Sequence, residues 1–135
     1  MKRLLFFLSL CLLAVTAHSQ TSSFIKSVFF GGGSYYVDEQ QAAEIQQFIQ
    51  QIENLEHYQI SISSHTDNIG GVEYNQWLSQ MRSEAVIRQL EQQQIPRDKV
   101  GRIDEGQFNP LYDNNTWEGR MANRRVDIIV TPLFL

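Results

Sequence analysis

The chain has 135 residues, of which 42% are apolar, 19% charged and 11% aromatic, and eleven Lys and Arg against fifteen Asp and Glu give a formal charge of −4. That is one domain's worth of sequence with enough apolar content for a core, which excludes long disorder, collagen-like structure and a two-domain cofactor enzyme. An acidic chain also lacks the basic face that nucleic-acid phosphates require.

Lys2 and Arg3 lead into the uncharged run Leu4–Val15, and Ala17-His18-Ser19 sets small residues three and one positions before Gln20. This pattern predicts a secretory signal peptide over residues 1–19 and a mature domain over residues 20–135. The apolar run is about a dozen residues, short of the roughly twenty that span a bilayer, so a retained anchor is the weaker reading. Lipid attachment at Cys11 is disfavoured by Leu10, where a small residue is wanted. No second apolar run follows, so no transmembrane segment is expected in the mature chain. Cleavage leaves nine Lys and Arg against fifteen acids and removes Cys11, the only cysteine. No disulfide and no thiol chemistry are then expected.

Phe24–Phe30 is rich in β-branched and aromatic residues and predicts a strand, stopped by Gly31-Gly32-Gly33-Ser34. Asp38 with Gln41 has the capping-box form, and Ala42, Ile45, Ile49 and Ile52 line one face of a helix ending near Asn54. Tyr58–His65 alternates and predicts a second strand, with Thr66–Gly71 as a turn. Tyr74, Trp77, Leu78, Met81, Ala85, Val86 and Leu90 form a second helical stripe that ends before Ile95-Pro96. Lys99–Asp104 is a weaker third strand, Glu105–Thr116 a loop, and Trp117–Asn123 one or two helical turns. Arg124–Thr131 predicts the last strand, with Val126, Ile128 and Val130 on one face and Arg125, Asp127 and Ile129 on the other. The fold class is therefore an α/β sandwich of βαβαββ order, with two main helices on one mixed four-stranded sheet.

Asp67 lies in a turn just after a strand, where loop residues meet ligands. Arg82 comes fifteen positions later, about two turns into the helix that packs back along that strand. A carboxylate and a guanidinium facing one pocket suit a zwitterion, the acid taking an ammonium and the guanidinium a carboxylate. The alternative is a turn cap and a surface helix residue, and spacing alone leaves both open. A turn acid and a helix arginine are both expected to be replaceable without loss of the fold. No metal site is expected, because His65 and Asp67 supply two ligands where three or four are needed. Asp104 and Glu105 point to opposite faces of a strand and cannot flank one bond. Gly31–Gly33 lacks the Lys and Ser or Thr of a phosphate loop. No cofactor is implied. Arg120, Arg124 and Arg125 are the one basic cluster, and Arg124 shares its face with Val126 and Ile128, which predicts a paired charge.

Ser64-His65-Thr66-Asp67-Asn68-Ile69-Gly70, Tyr74-Asn75, Leu78-Ser79, Arg82, Gly106, Pro110, Asn115-Thr116, Gly119-Arg120 and Asn123-Arg124-Arg125-Val126 closely resemble, in this order, the OmpA-like C-terminal domain. That family includes peptidoglycan-associated lipoproteins and flagellar-motor stator proteins. The resemblance implies a non-catalytic periplasmic module that binds peptidoglycan non-covalently. By that resemblance Asp67 takes the amino group of diaminopimelate in the stem peptide and Arg82 a diaminopimelate carboxylate. Thr66, Asn75 and Leu78 would line the pocket. Arg125 would support it, with Arg124 as the competing choice. Family members often carry Phe-Asp-x-Asp-Ser after the first strand, whereas Phe30-Gly31-Gly32-Gly33-Ser34 keeps the Ser and lacks both acids. The implied location is the periplasm, at the wall near the outer membrane. The competing function is an adaptor whose main ligand is an outer-membrane or other envelope protein, through exposed rings such as Tyr35, Tyr36, Trp77, Trp117 and Phe134.

Overall fold

A computed structural model describes residues 22–133. The expected signal peptide and Phe134 lie outside the described residues. The chain forms β1 (Phe24–Phe29), α1 (Glu39–Gln50), β2 (Tyr58–His65), α2 (Val72–Gln92), β3 (Val100–Gly106), α3 (Trp117–Asn123) and β4 (Arg125–Pro132). The four strands make one sheet in the order β1-β4-β2-β3. The last strand enters the middle and pairs antiparallel with β1 and with β2, while β2 and β3 are parallel neighbours joined through α2. This is the mixed four-stranded sheet with two main helices that the sequence predicts, with α3 as a short third.

Alternation puts Val126, Ile128 and Val130 of β4 on the helix side, where none has measurable exposure. They meet Ile60 and Ile62 of β2, Ile45 and Ile49 of α1, and Val86, Ile87 and Leu90 of α2 in one core. The opposite face of the sheet carries Arg125, paired with Asp127 at 3.0 Å, and leaves Ile25, Phe29 and Ile103 exposed.

The capping box closes α1 as expected: Asp38 Oδ1 accepts from Gln41 N at 2.8 Å, and Gln41 Oε1 accepts from Asp38 N at 3.0 Å. The helix ends at Gln50, four residues before the predicted Asn54, because Asn54 turns left-handed at φ 53° into the 3-10 turn that feeds β2. The face of α2 also differs from prediction. Its buried side is Asn75, Leu78, Ser79, Arg82, Ser83, Val86, Ile87 and Leu90, while Tyr74 and Trp77 stay half-exposed. The first half of the helix buries polar groups because β3 supplies partners. Ser79 Oγ accepts from Gly106 N, Ser83 Oγ donates to Asp104, and Gln76 Nε2 donates to Asp104 O.

Candidate functional site

The β2–β3 ladder shifts register at its end, so that His65 pairs with Gly106 and Glu105 is passed over. Thr66 N then donates to Gly106 O at 2.8 Å, which pins the turn that follows. Thr66 Oγ1 donates to Asp67 O, and Asp67 Oδ1 accepts from Ile69 N at 3.0 Å. The turn therefore holds Asp67 at the mouth of the space between β2, α2 and the glycine loop.

Asp67 is not free. Its Oδ2 lies 3.2 Å from Arg124 Nη1, and Asp67 and Arg124 keep only 6% and 8% of their exposure. Arg124 Nε donates to Phe30 O at 3.1 Å, and its guanidinium lies 5.5 Å from the Trp117 ring centre. The carboxylate partner predicted for Arg124 is thus the candidate ligand acid itself.

Arg82 is fully buried. It is no surface helix residue, and its bonds attach a cost in stability to the replacement that the sequence alone expects to leave the fold intact. Nε donates to Ser34 O at 2.8 Å, Nη1 to His65 O at 2.9 Å and Nη2 to Gly31 O at 3.0 Å. Three of its five N–H groups thus tie the glycine loop to the end of β2. Phe30 lies under the guanidinium, 5.2 Å from ring centre to cation. Its pKa falls below the usual arginine value to about 10, chiefly through burial, with Asp67 pulling it up and Arg124 pushing it down. It remains a cation at neutral pH.

These groups line a cleft of about 370 Å³ together with Thr66, Asn75, Leu78, Gly32, Gly33, Gly70, Tyr74 and Trp117. Five of the six residues singled out in the sequence, Asp67, Arg82, Thr66, Asn75 and Leu78, come together there. Arg125 does not, since strand alternation turns it to the opposite face of the sheet, onto Asp127 and the Tyr112 ring. Arg124 takes the place in the cleft. Its shared face with Val126 and Ile128 was the signal in the sequence that marks it. Asn75 spends its amide nitrogen on Gln107 Oε1 at 2.8 Å. One carboxylate and two guanidiniums in a nearly dry cleft can hold a ligand bearing an ammonium beside more than one anionic oxygen. Among the described residues no three His, Cys, Asp or Glu side chains gather as a metal site. No described helix is long and apolar enough to cross a membrane.

The sequence model of the OmpA family matches residues 29–124, and the chain belongs to that family. The crystal structure of the peptidoglycan-associated lipoprotein from Burkholderia pseudomallei superposes with a TM-score of 0.70 at 31% identity, over 78% of this chain and 89% of that one. Escherichia coli K12 probable lipoprotein YiaD is 35% identical over 74 residues, 55% of this chain and 34% of YiaD. Peptidoglycan-binding protein ArfA of Mycobacterium tuberculosis H37Rv is 37% identical over 71 residues, 53% of this chain and 22% of ArfA. The matched stretch is thus about a third or less of the length of these two relatives.

Proposed function

We propose that this protein is a non-catalytic envelope module that binds peptidoglycan through the diaminopimelate of the stem peptide. One observation carries the reading: Asp67, Arg82 and Arg124 stand together, nearly out of water, in a cleft open to a peptide-sized ligand. The ligand ammonium goes to Asp67, whose oxygens keep lone pairs beyond those used by Ile69 N and Arg124. Its carboxylates go to the guanidiniums, where charge-assisted bonds are strongest. Thr66 and Asn75 shape the mouth and Leu78 the apolar floor. Family membership, and the likeness to a peptidoglycan-associated lipoprotein and a peptidoglycan-binding protein, support the polymer as ligand. On this reading residues 1–19 act as the export signal and the module works in the periplasm of a Gram-negative cell, against the wall near the outer membrane.

The exposed rings Tyr36 and Trp117, at 72% and 60%, favour a second reading, an adaptor for an envelope protein. Co-sedimentation with isolated sacculi separates the two. The first reading expects the protein in the pellet, displaced by free diaminopimelate, with no muropeptide released. Protein that stays in the supernatant would put the adaptor first.

A further inference from the structure

Tyr74 stands in the wall of the cleft, and two loops close on it. A Cβ on Gly33 would meet its hydroxyl at 3.3 Å, and one on Gly70 would meet its ring at 3.1 Å. The ring is therefore seated by the glycine loop on one side and the Asp67 turn on the other. Trp77 follows it, 5.8 Å away centre to centre, and Tyr35 packs edge-on to Trp77 at 5.7 Å. All three rings stay between 41% and 45% exposed. They support one another, so their exposed surface is held in one arrangement before any ligand arrives. Trp117 and Arg124 also border a second groove, lined by Phe29, Phe30, Met121 and Ala122, where Trp117 is the one aromatic ring besides the two phenylalanines.

We infer that Tyr35, Trp77 and Tyr74 form a carbohydrate platform, which takes a hexopyranose of the glycan strand that bears the bound stem peptide. The inference rests on the stem-peptide reading above. A pyranose has one face of C–H bonds with partial positive charge, which lies on the negative face of an aromatic ring, and a rim of hydroxyls. The platform offers aromatic surface edged by two phenol hydroxyls and an indole N–H, and none of its three side chains is charged. Reach agrees with this. Two peptide residues and the lactyl link separate diaminopimelate from the sugar, roughly 10 Å or more when extended at about 3.3–3.6 Å per unit. Two ring-to-ring steps of 5.8 and 5.7 Å lead from the cleft wall to Tyr35. A peptide seated at Asp67 and running along the start of α2 has the reach to set its sugar on the outer rings.

Two probes test this by calorimetric titration: the tripeptide L-Ala–γ-D-Glu–diaminopimelate, and the same tripeptide carried on its N-acetylglucosamine–N-acetylmuramate disaccharide. The wild type should bind the glycosylated probe roughly three- to tenfold more tightly than the free tripeptide. Trp77→Ala and Tyr35→Ala should each remove most of that advantage and leave tripeptide affinity unchanged. Tyr35→Ala carries the test if Trp77→Ala proves unstable, since Tyr35 lies in a loop. Equal wild-type affinity for the two probes, or equal loss of both in the variants, overturns the platform and leaves the stem-peptide reading standing. A wild type that binds neither probe overturns both.

Discussion

Replacing Arg82 by Met keeps much of its length and removes its charge. The cost follows from what the guanidinium holds. Three main-chain carbonyls, of Gly31, Ser34 and His65, accept from it at 2.8–3.0 Å in a fully buried position. Hydrogen bonds to a charged group are worth about 1.5–3 kcal/mol each. Against this stands the burial of the cation, which pulls its pKa below the usual arginine value to about 10 and so costs about 3 kcal/mol at 1.36 kcal/mol per unit. The balance is a destabilisation of about 1.5–6 kcal/mol, well beyond the surface-residue range of about 0.5 kcal/mol. Arg82→Lys keeps the charge but loses the fork, and should fall between wild type and Arg82→Met. Urea unfolding followed by far-ultraviolet circular dichroism reads the difference at constant slope. A loss under 0.5 kcal/mol in Arg82→Met would show that the guanidinium does not hold the glycine loop.

Burial and Arg125 keep the pKa of His65 below the ordinary 6.5, against the opposite pull of Asp127 and Glu105. Unfolding therefore takes up a proton below about pH 6.5 that the folded state resists, so stability is full above that pH and declines beneath it. The decline in urea midpoint between pH 7.5 and 5.5 should be smaller in His65→Gln than in wild type. Gly119→Ala should destabilise the domain by about 2 kcal/mol or more in thermal unfolding, because a Cβ there would overlap the Asp113 carbonyl oxygen. Gly31→Asp restores the common family acid. It should fold as wild type does, since a Cβ there meets only Ser34 Cβ at 3.8 Å, and should bind the tripeptide more tightly by about 1 kcal/mol on titration.

Alternating strands and the capping box were legible because each is a local pattern: Val126, Ile128 and Val130 declare their face two residues at a time, and Asp38 meets Gln41 within one turn. The face of α2 was not. Apolarity alone points to Tyr74 and Trp77, yet the helix buries Asn75, Ser79, Arg82 and Ser83, whose long-range partners on β2, on and just after β3 and in the glycine loop lie 17 to 51 positions away. The same limit hid the Asp67–Arg124 pair, which spans 57 positions. Arg124 announced its burial through strand alternation, but nothing local named its partner. Arg125, carried over by resemblance, is the next residue, the first of β4, and faces the other way.

Asp67→Asn is the decisive variant, since it keeps the shape of the turn and removes the one anionic group that lines the cleft. Calorimetric titration with the diaminopimelate tripeptide, on variants shown to be folded by circular dichroism, is the measurement. The wild type should bind, and Asp67→Asn should lose about 2–5 kcal/mol, the cost of leaving a ligand ammonium unpaired in a dry site. An Asp67→Asn protein that binds the tripeptide as tightly as the wild type would contradict the stem-peptide reading.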